Sequence, residues 1–191
     1  AQNGFSGART KEIAQKAGIS ETLIFQFFKT KKELYKESLK TLFNKSPHEK
    51  LEKFAEEKDD HGLFYAAAEA IFRGVEERPI IIRMIFFSAL DNFKFKSKEE
   101  GFGPRLIQYL TEYIRIRIED GAFRKVNPSL AAQMFIHSVF LSAADKVMDV
   151  GCEDSDYTLE EGVDAIVEIF LEGIRTCKSR RRIISRMILP Y

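Results

Sequence analysis

TKEIAQKAGISETLIFQFF, residues 10–28, is the stretch of sequence that decides the fold. A first helix is predicted to begin at the start of this stretch, with Ile13 facing the core and the small Ala14 where a second helix crosses it. Ala17 is predicted to close this helix, because Gly18 follows at a place where a tight turn needs a positive φ. The spacing therefore predicts a short helix that ends in a tight turn.

The second half of the stretch predicts another short helix after the turn. Ile19 is expected to anchor the turn in the core, and Ser20 is an N-cap residue for the helix that follows. Ile24 and then either Phe27 or Phe28 return the chain to the core at helical spacing. Two short helices that cross closely around such a turn form a helix-turn-helix. An ordinary helical corner is the alternative reading of so short a pattern.

The second helix leaves a set of outward-facing side chains once Ile24 and Phe28 face inward. These side chains are Ser20, Glu21, Thr22, Phe25 and Gln26. The second helix of a helix-turn-helix enters the major groove of DNA and meets base edges with its N-terminal residues. Gln26 can read adenine with its amide, Thr22 can bond a base or contact a thymine methyl group, and Glu21 can accept from cytosine. The surface therefore predicts contacts to DNA bases.

Basic residues surround this outward surface. Residues 1–46 carry nine Lys and Arg residues against four Asp and Glu residues, a net charge of +5, although the whole chain has a net charge of only +1. Phosphate contacts are predicted for four basic residues that have no evident carboxylate partner at helical spacing. They are Arg9, Lys11, Lys29 and Lys31, and Thr10 completes the predicted DNA-binding set. A solvated helix face is the alternative explanation of the charge.

The rest of the chain contains start and end signals for a series of helices. Three segments place a hydroxyl residue three positions before a Glu, the capping-box pattern of a helix start. They are Thr30 to Glu33, Ser46 to Glu49 and Thr158 to Glu161. Asn127 followed by Pro128 forms another start. Gly121 and Gly151 are predicted helix ends, and Pro79 is a predicted break. The fold class is therefore predicted to be all-α, with about eight helices.

Two domains are predicted, a helix-turn-helix domain over residues 1–45 and a larger helical domain over residues 46–191. The sequence contains no phosphate loop, dinucleotide fingerprint or nucleophile elbow. Cys152 and Cys177 stand alone and are expected to be reduced in a cytoplasmic protein, with no metal site and no cofactor. No uncharged run approaches the roughly 18 residues of a membrane span. Neither an enzyme nor a membrane protein is expected.

Several short strings, in order and without gaps, resemble the N-terminal domain of the TetR family of bacterial transcription regulators. They are Gly4-Phe5, Arg9 to Ala14, Ala17 to Ser20 and Phe28 to Leu34, with a weaker string from Gly121 to Ala132 in the body. The family's domain opens with a helix before the position of Gly4, which is expected to be disordered or removed here. Phe25 stands where the family commonly has a tyrosine that bonds phosphate, Phe27 where His or Tyr is common, and Ala8 where a hydroxyl residue caps a helix.

The resemblance implies a homodimer in which each subunit carries one reading head on a helical body. The last two long helices, here about residues 128–148 and 159–177, pair across the dimer axis in that family. The second of them has a broad apolar face. The predicted dimer interface is Val163, Ile166, Val167, Phe170 and Ile174. Burial of this face inside one subunit is the alternative.

The resemblance also implies an effector cavity in the helical body. The body is rich in aromatic and flexible apolar side chains, which favours a hydrophobic small molecule. The predicted ligand-binding residues are Phe64, Phe72, Phe86, Phe87, Phe102, Tyr109, Tyr113, Met134 and His137. Core filling is the alternative for each aromatic residue. For His137, a core histidine is a stronger interpretation than a metal ligand.

The sequence therefore predicts a cytoplasmic, dimeric transcription regulator that binds double-stranded operator DNA. It is predicted to be a repressor, which a small hydrophobic effector releases from its operator. The alternative is a helical dimer that acts through protein contacts, with a degenerate reading head. A second basic segment, residues 178–186, is predicted either to be solvated or to belong to a short helix docked on the body. The sequence does not specify the effector or the operator.

Overall fold

The computed structural model describes residues 4–42, 48–90, 102–148 and 157–176. In this part of the chain the backbone forms ten α-helices and no strand, so the predicted all-α class is confirmed. The helices are α1 (Gly4–Gly7), α2 (Thr10–Ala17), α3 (Glu21–Phe27), α4 (Lys31–Leu42), α5 (His48–Glu56), α6 (Asp60–Glu77), α7 (Ile80–Leu90), α8 (Phe102–Glu119), α9 (Pro128–Met148) and α10 (Leu159–Ile174). Pro79 separates α6 from α7, as predicted.

The helices belong to two compact units. The first unit contains α1 to α4, the end of α6 from Val75, and α7. The second unit contains α5, the rest of α6, α8 from Arg105, α9 and α10. The first unit is therefore assembled from two separate stretches of the sequence. The predicted functional division between residues 45 and 46 stays a prediction.

Helices α9 and α10 begin where capping chemistry predicts. The Thr158 hydroxyl accepts from the Glu161 N–H at 3.2 Å, and the Glu161 carboxylate accepts from the Thr158 N–H at 2.7 Å. This reciprocal pair is the predicted capping box of α10. At the start of α9, the Asn127 side-chain oxygen accepts from the Leu130 N–H at 3.1 Å, and Pro128 is the first helical residue. Local side-chain chemistry therefore sets both starts.

The remaining predicted starts and ends have mixed outcomes. The Thr30 hydroxyl accepts from the Glu33 N–H at 3.1 Å, but the Glu33 carboxylate accepts from the Lys29 N–H at 2.8 Å, one residue earlier than a reciprocal box requires. Gly121 follows α8 with a φ of 74°, which confirms it as a left-handed helix end. Ser46 and Gly151 lie outside the described residues.

In the first unit, α7 packs on α1 and α4. The Tyr35 hydroxyl of α4 donates to the Met84 carbonyl of α7 at 2.8 Å. The ring of Phe5 meets the ring of Tyr35 edge to face, with centroids 5.4 Å apart. Tyr35 therefore links α4 to both α7 and α1 within the first unit.

The second unit is centred on a cluster of aromatic rings from three helices. Phe64 of α6, Phe135 of α9 and Phe170 of α10 have pairwise centroid distances of 4.9 to 5.0 Å. Phe64 also lies beside Tyr113 of α8, at 6.2 Å, and Phe123, at 6.4 Å. Such aromatic pairs add about 0.5–1.5 kcal/mol each to the gain from burial. The cluster is the core of this unit.

A polar network joins the beginning of α6 to the end of α8 within the second unit. The Asp60 carboxylate accepts from the Tyr113 hydroxyl and from the Arg117 Nε, both at 2.7 Å. Arg117 also donates to Asp120 at 2.9 Å, and Lys58 donates to the same carboxylate at 2.9 Å. Burial, followed by the negative charge of Asp60, raises the pKa of Tyr113, which favours the protonated hydroxyl that donates to Asp60. The network satisfies charges that would be costly to bury alone.

Candidate nucleic-acid interface

The turn between α2 and α3 has the geometry that the sequence predicts. Gly18 adopts a φ of 69°, in the left-handed region. Its N–H donates to the Gln15 carbonyl at 3.2 Å, and the Ile19 N–H donates to the Ala14 carbonyl at 3.0 Å. These two hydrogen bonds form a Schellman motif, which satisfies the last carbonyls of α2. The chain therefore turns sharply after Ala17, as predicted.

Helix α3 is capped by Ser20, whose hydroxyl accepts from the Leu23 N–H at 3.1 Å. Ile24 of α3 and Ala14 of α2 are buried, so the two helices cross where the sequence places a small residue. Phe28 is half-buried just beyond the helix end, whereas Phe27 is 73% exposed. Of the two inward candidates, Phe28 is therefore the one that returns to the core.

The prediction that Ile19 anchors the turn in the core is wrong, because its side chain is 41% exposed. The Schellman hydrogen bonds constrain its backbone, which leaves residue 19 at the outer corner of the turn. The burial of this corner comes from Ala14 and Ile24 instead. Backbone hydrogen bonds, together with the burial of Ala14 and Ile24, define the turn.

Thr10 and Glu21 form a contact that the sequence patterns did not reveal. The Thr10 hydroxyl donates to the Glu21 carboxylate at 2.5 Å, in a partly buried position. It joins the first residues of α2 and α3. The N-cap position of α2 is Arg9, whose side chain makes no capping hydrogen bond. The hydroxyl therefore ties the two helices together, and one oxygen of the predicted cytosine reader Glu21 is already occupied.

The outward face of α3 contains three of the predicted base-reading side chains. Thr22, Phe25 and Gln26 are exposed, and Phe25 is 43% exposed. Residues three and four positions apart share a helix face, so Thr22 lies beside both of the others, and Ile24 points to the opposite side. Ser20 is also exposed, but its hydroxyl is engaged in the cap. The structure therefore brings an amide, a hydroxyl and an aromatic ring together on one solvent-facing surface.

The four predicted phosphate-binding side chains differ in their surroundings. Lys11 and Lys29 are exposed. Arg9 is also exposed, but the prediction that it lacks a carboxylate partner is wrong, because it lies 3.8 Å from Glu12 one helical turn away. Such an exposed ion pair contributes little and is readily exchanged. Lys31 is half-buried, with its Nζ 4.7 Å from the centroid of the Phe5 ring and 3.3 Å from the Ser6 carbonyl oxygen.

The predicted ligand-binding residues do not share one environment. Phe64, Phe72 and Tyr113 are buried in the second unit, where Tyr109 is half-buried. Phe86 belongs to the first unit and is exposed. The side chains of Phe87 and Phe102 lie outside the described residues. The assignment of these residues to a ligand site stays a prediction.

Met134 and His137 lie on an exposed stripe of α9. The exposed positions of this stripe follow one another at spacings of three, four and seven residues, which keeps them on one helix face. They are Leu130, Met134, His137, Leu141 and Met148. The interpretation of His137 as a core histidine is wrong, because it lies on this exposed face. Below, this set is called the α9 stripe.

The predicted dimer residues of α10 lie mostly inside the chain. Val163, Val167 and Ile174 are buried within the single chain. Phe170 belongs to the aromatic cluster, and Ile166 is half-buried. Among the described residues of α10, the exposed large apolar side chain is Ile169, at 73%. For Val163, Val167 and Ile174, the alternative of burial inside one subunit therefore fits the structure. A role of the five residues in a dimer stays a prediction.

Neither a metal-ligand cluster nor a membrane-spanning helix is present in the described ranges. No three His, Cys, Asp or Glu side chains there come together as a metal site would require. None of the helices within those ranges combines the length and the apolar character of a transmembrane span.

Known proteins resemble this chain in two ways, in the sequence of its N-terminal segment and in the fold of most of its length. Residues 1–38 match the model of the bacterial regulatory proteins of the tetR family. No curated protein sequence matches the chain.

Solved structures resemble this chain over most of its length. A protein assigned to the TetR family of transcriptional regulators from Rhodococcus sp. matches with a TM-score of 0.58 and 13% identity, over 90% of this chain and 89% of that one. One from Shewanella sp. PV-4 matches with a TM-score of 0.55 and 15% identity, over the same shares. The regulator FadR from Bacillus subtilis, in complex with stearoyl-CoA, matches with a TM-score of 0.52 and 17% identity, over 92% and 93%.

The two comparisons confirm the resemblance that the sequence motifs indicated. The chain has an N-terminal segment that matches the TetR family model, and it has the fold of TetR-family transcription regulators.

Proposed function

We propose that this chain is a homodimeric, cytoplasmic transcription regulator, a repressor that binds operator DNA through α3 and that a hydrophobic small molecule releases. The observation that carries the proposal is the outward face of α3, where Thr22, Phe25 and Gln26 are exposed opposite the buried Ile24. A short helix held in this way after a tight turn suits insertion into the major groove.

The side chains on and around this face provide complementary contacts to DNA. The Gln26 amide can pair with the N6 and N7 edge of adenine, and the Thr22 hydroxyl can donate to or accept from a base. Lys11 and Lys29 are exposed basic side chains, which suits contacts to phosphate. Glu21 contributes less to base reading, since one of its oxygens holds Thr10. The division is typical of DNA readers, in which phosphate contacts position the protein and base contacts select the sequence.

A homodimer is supported by the exposed apolar surface of α9 and α10. The α9 stripe and Ile169 of α10 together leave several large apolar side chains in water. Covering them with a second copy would remove this surface from water at a gain of roughly 25 cal/mol per Å². A dimer would also carry two copies of α3, which can read successive major grooves about 34 Å apart. The proposed interface is therefore centred on exposed residues rather than on Val163 and Val167.

A hydrophobic effector is supported by the aromatic composition of the second unit. Tyr109 is half-buried, and Phe64 and Tyr113 lie buried in the same unit, where the Tyr113 hydroxyl donates to Asp60. An interior rich in aromatic side chains is typical of pockets for apolar ligands. FadR from Bacillus subtilis, which has this fold, is known in complex with stearoyl-CoA. An effector with a long apolar chain or a flat ring system is the proposed class. Mass spectrometry of small molecules that copurify with the protein tests this class, and recovery of polar metabolites alone would contradict it.

A second candidate function is a helical dimer that acts through protein contacts alone. The observation that favours it is the apolar character of the reading head, where Ile19, Phe25 and Phe27 are all exposed. Exposed apolar groups of this kind also occur at protein interfaces. The two functions differ in their response to salt, because DNA binding releases counterions and depends steeply on salt concentration.

Selection from a pool of random double-stranded DNA tests the proposed function directly. The expected result is one enriched sequence with two inverted halves, whose affinity falls with salt at a log–log slope of about −0.9 for each phosphate contacted. Enrichment of no sequence, or binding that salt between about 50 and about 200 mM leaves unchanged, would favour the protein-contact function.

A pair of glutamine variants then tests the role of α3 in the selected site. Gln26→Ala is expected to lose preference at one base position in each half, at a cost of about 1–3 kcal/mol. Gln15→Ala is the matched control, because Gln15 is an exposed glutamine of the neighbouring helix α2. It is expected to keep the full preference. Equal losses in both variants would exclude a specific role for Gln26.

A further inference from the structure

Phe25 is an aromatic side chain on the outward face of α3, between two polar side chains. It lies on the same face of α3 as Thr22 and Gln26, and 43% of its side chain is exposed. A phenylalanine ring has no hydrogen-bonding atom, so its ring cannot donate to or accept from a base or a phosphate. Whatever Phe25 contacts on DNA must therefore be an apolar group.

The major groove offers few apolar groups to a protein. The four natural base pairs present hydrogen-bond donors and acceptors along this edge, together with the C5-methyl group of thymine. Contact between an apolar side chain and this methyl group is a recognised form of base readout, and Phe is one of the residues that make it. A ring on the groove-facing side of a helix has this methyl group as its natural partner.

We infer that Phe25 is a specificity-determining residue that selects a thymine through its methyl group, an inference that rests on the proposed DNA-binding function. Gln26, its neighbour in sequence, reads an adjacent base through hydrogen bonds. The two side chains combine an apolar contact with a polar one within one half of the operator. Substitution of any other base at the Phe25 position leaves the ring against a polar edge.

Phe27 provides an internal comparison for this inference. It is more exposed than Phe25, at 73%, but it is three residues from the buried Ile24 and therefore lies towards the inward flank of α3. Exposure alone would favour Phe27 as the thymine reader, whereas position on the groove-facing side favours Phe25. The two residues have the same side chain on the same helix, so Phe27→Ala is a matched control for Phe25→Ala.

Uracil differs from thymine only in lacking the methyl group, which makes the test independent of any change in the protein. Each thymine of the selected operator is replaced in turn by uracil, and the dissociation constant is measured by fluorescence anisotropy. At one thymine of each half, the wild-type chain is expected to bind about fourfold more weakly, the ratio expected for losing one methyl-sized apolar contact. Replacement of the other thymines is expected to have no comparable effect.

The two phenylalanine variants assign the contact to one ring. In Phe25→Ala, the same uracil replacement is expected to change affinity by less than a factor of two, whereas Phe27→Ala is expected to keep the fourfold loss. A uracil effect that persists in Phe25→Ala, or that disappears in Phe27→Ala, would overturn the inference. So would a wild-type chain that does not distinguish uracil from thymine at any position.

The outcomes also separate this inference from the proposed function. A chain that selects one DNA sequence with steep salt dependence, yet binds the uracil operator equally well, retains its proposed function and loses the Phe25 contact. A chain that selects no sequence overturns both. Circular dichroism of each variant checks that the exposed substitutions leave the helical fold unchanged.

Discussion

The helix-turn-helix of α2 and α3 and the aromatic cluster of the second unit differ in how their structures are specified. In the helix-turn-helix, a single glycine in the left-handed region, one serine cap and the buried side chains of Ala14 and Ile24 define the geometry. In the second unit, Phe64, Phe135 and Phe170 come from helices far apart in the sequence and meet only in the folded chain. The first region depends on local rules, and the second depends on long-range packing.

This difference explains why candidate functional residues could be proposed in one region more easily than in the other. Local rules define which residues face inward, so the outward residues that remain are candidates for binding. Helical periodicity in the second unit marks an apolar face but does not say whether that face meets the core, a ligand or another subunit. The experiments below test this contrast, beginning with the largest expected change.

Removal of the Phe64 ring is expected to have the largest effect on stability. Phe64 is fully buried at the centre of the aromatic cluster, and Phe64→Ala is expected to lower the free energy of unfolding by about 3–5 kcal/mol. Urea denaturation followed by circular dichroism measures the change. Ile116→Ala in α8 is the control, because Ile116 is 41% exposed; its expected change is within about 0.5 kcal/mol.

The Phe64 result would also weigh packing against ligand binding. A loss below about 1 kcal/mol would contradict the role of this ring as a core side chain, since full burial of a phenylalanine side chain is worth more than that. It would instead favour a loosely filled site that a ligand completes. The contrast between local rules and long-range packing would then no longer hold, because the cluster would be a binding surface rather than a packed core.

A glycine-to-alanine pair tests how far local conformation defines the helix-turn-helix. Gly18→Ala is expected to lower stability by about 1–2 kcal/mol, because alanine is strained at a φ of 69° although no atom lies within 4 Å of the added Cβ. Gly74→Ala, in α6, is the control with the opposite sign. No atom lies within 4 Å of its added Cβ either, and it is expected to raise stability by about 0.5–1 kcal/mol.

Thermal unfolding of the two glycine variants measures both changes. Equal effects of the same sign would show that the positive φ of Gly18 is not what the turn requires. Gly18→Asn provides a further check, because asparagine tolerates the left-handed region better than alanine. It is expected to be less destabilised than Gly18→Ala.

Much of the helix-turn-helix could be predicted from the sequence because its constraints are local. Ala17, Gly18 and Ser20 each have one structural reason to be where they are, and the structure confirms all three. Ile19 was misassigned because hydrophobicity alone does not distinguish the outer corner of a turn from its core. The hydrogen bond between Thr10 and Glu21 was missed because those residues are eleven positions apart and no sequence pattern joins them.

In the helical body that contains α9 and α10, the sequence predicted where these helices begin but not what their side chains contact. The start of α9 follows from Pro128, and that of α10 from Thr158. The exposure of Met134 and His137 could not be derived in the same way, because α9 is apolar on several sides. An apolar residue on such a helix is compatible with the core, a ligand site or a dimer. Distinguishing them requires the neighbouring helices, which a single periodic pattern does not contain.

The capping box of α10 is expected to give the smallest change in stability, and it tests a local feature of this helix. Hydrogen bonds from the Thr158 backbone and side chain hold the pKa of Glu161 below its ordinary value. The ionised cap therefore stabilises the fold above the pKa that this carboxyl has in the unfolded chain, about 4.3. The stabilisation is lost as the pH falls from there through the lower pKa of the folded chain. Glu161→Gln keeps a side-chain acceptor for the cap but does not titrate in this range.

The expected result is that the wild-type chain loses more stability than Glu161→Gln when urea denaturation is repeated between pH 6 and pH 3. Glu160→Gln is the matched control, because it removes the same charge from the adjacent residue without touching the cap. Its stability is expected to fall with pH as steeply as that of the wild-type chain. Equal pH dependence in all three chains would mean that the cap defines where α10 begins without contributing to its acid sensitivity. Local rules would then predict helix boundaries in the body but not the pH dependence of its stability.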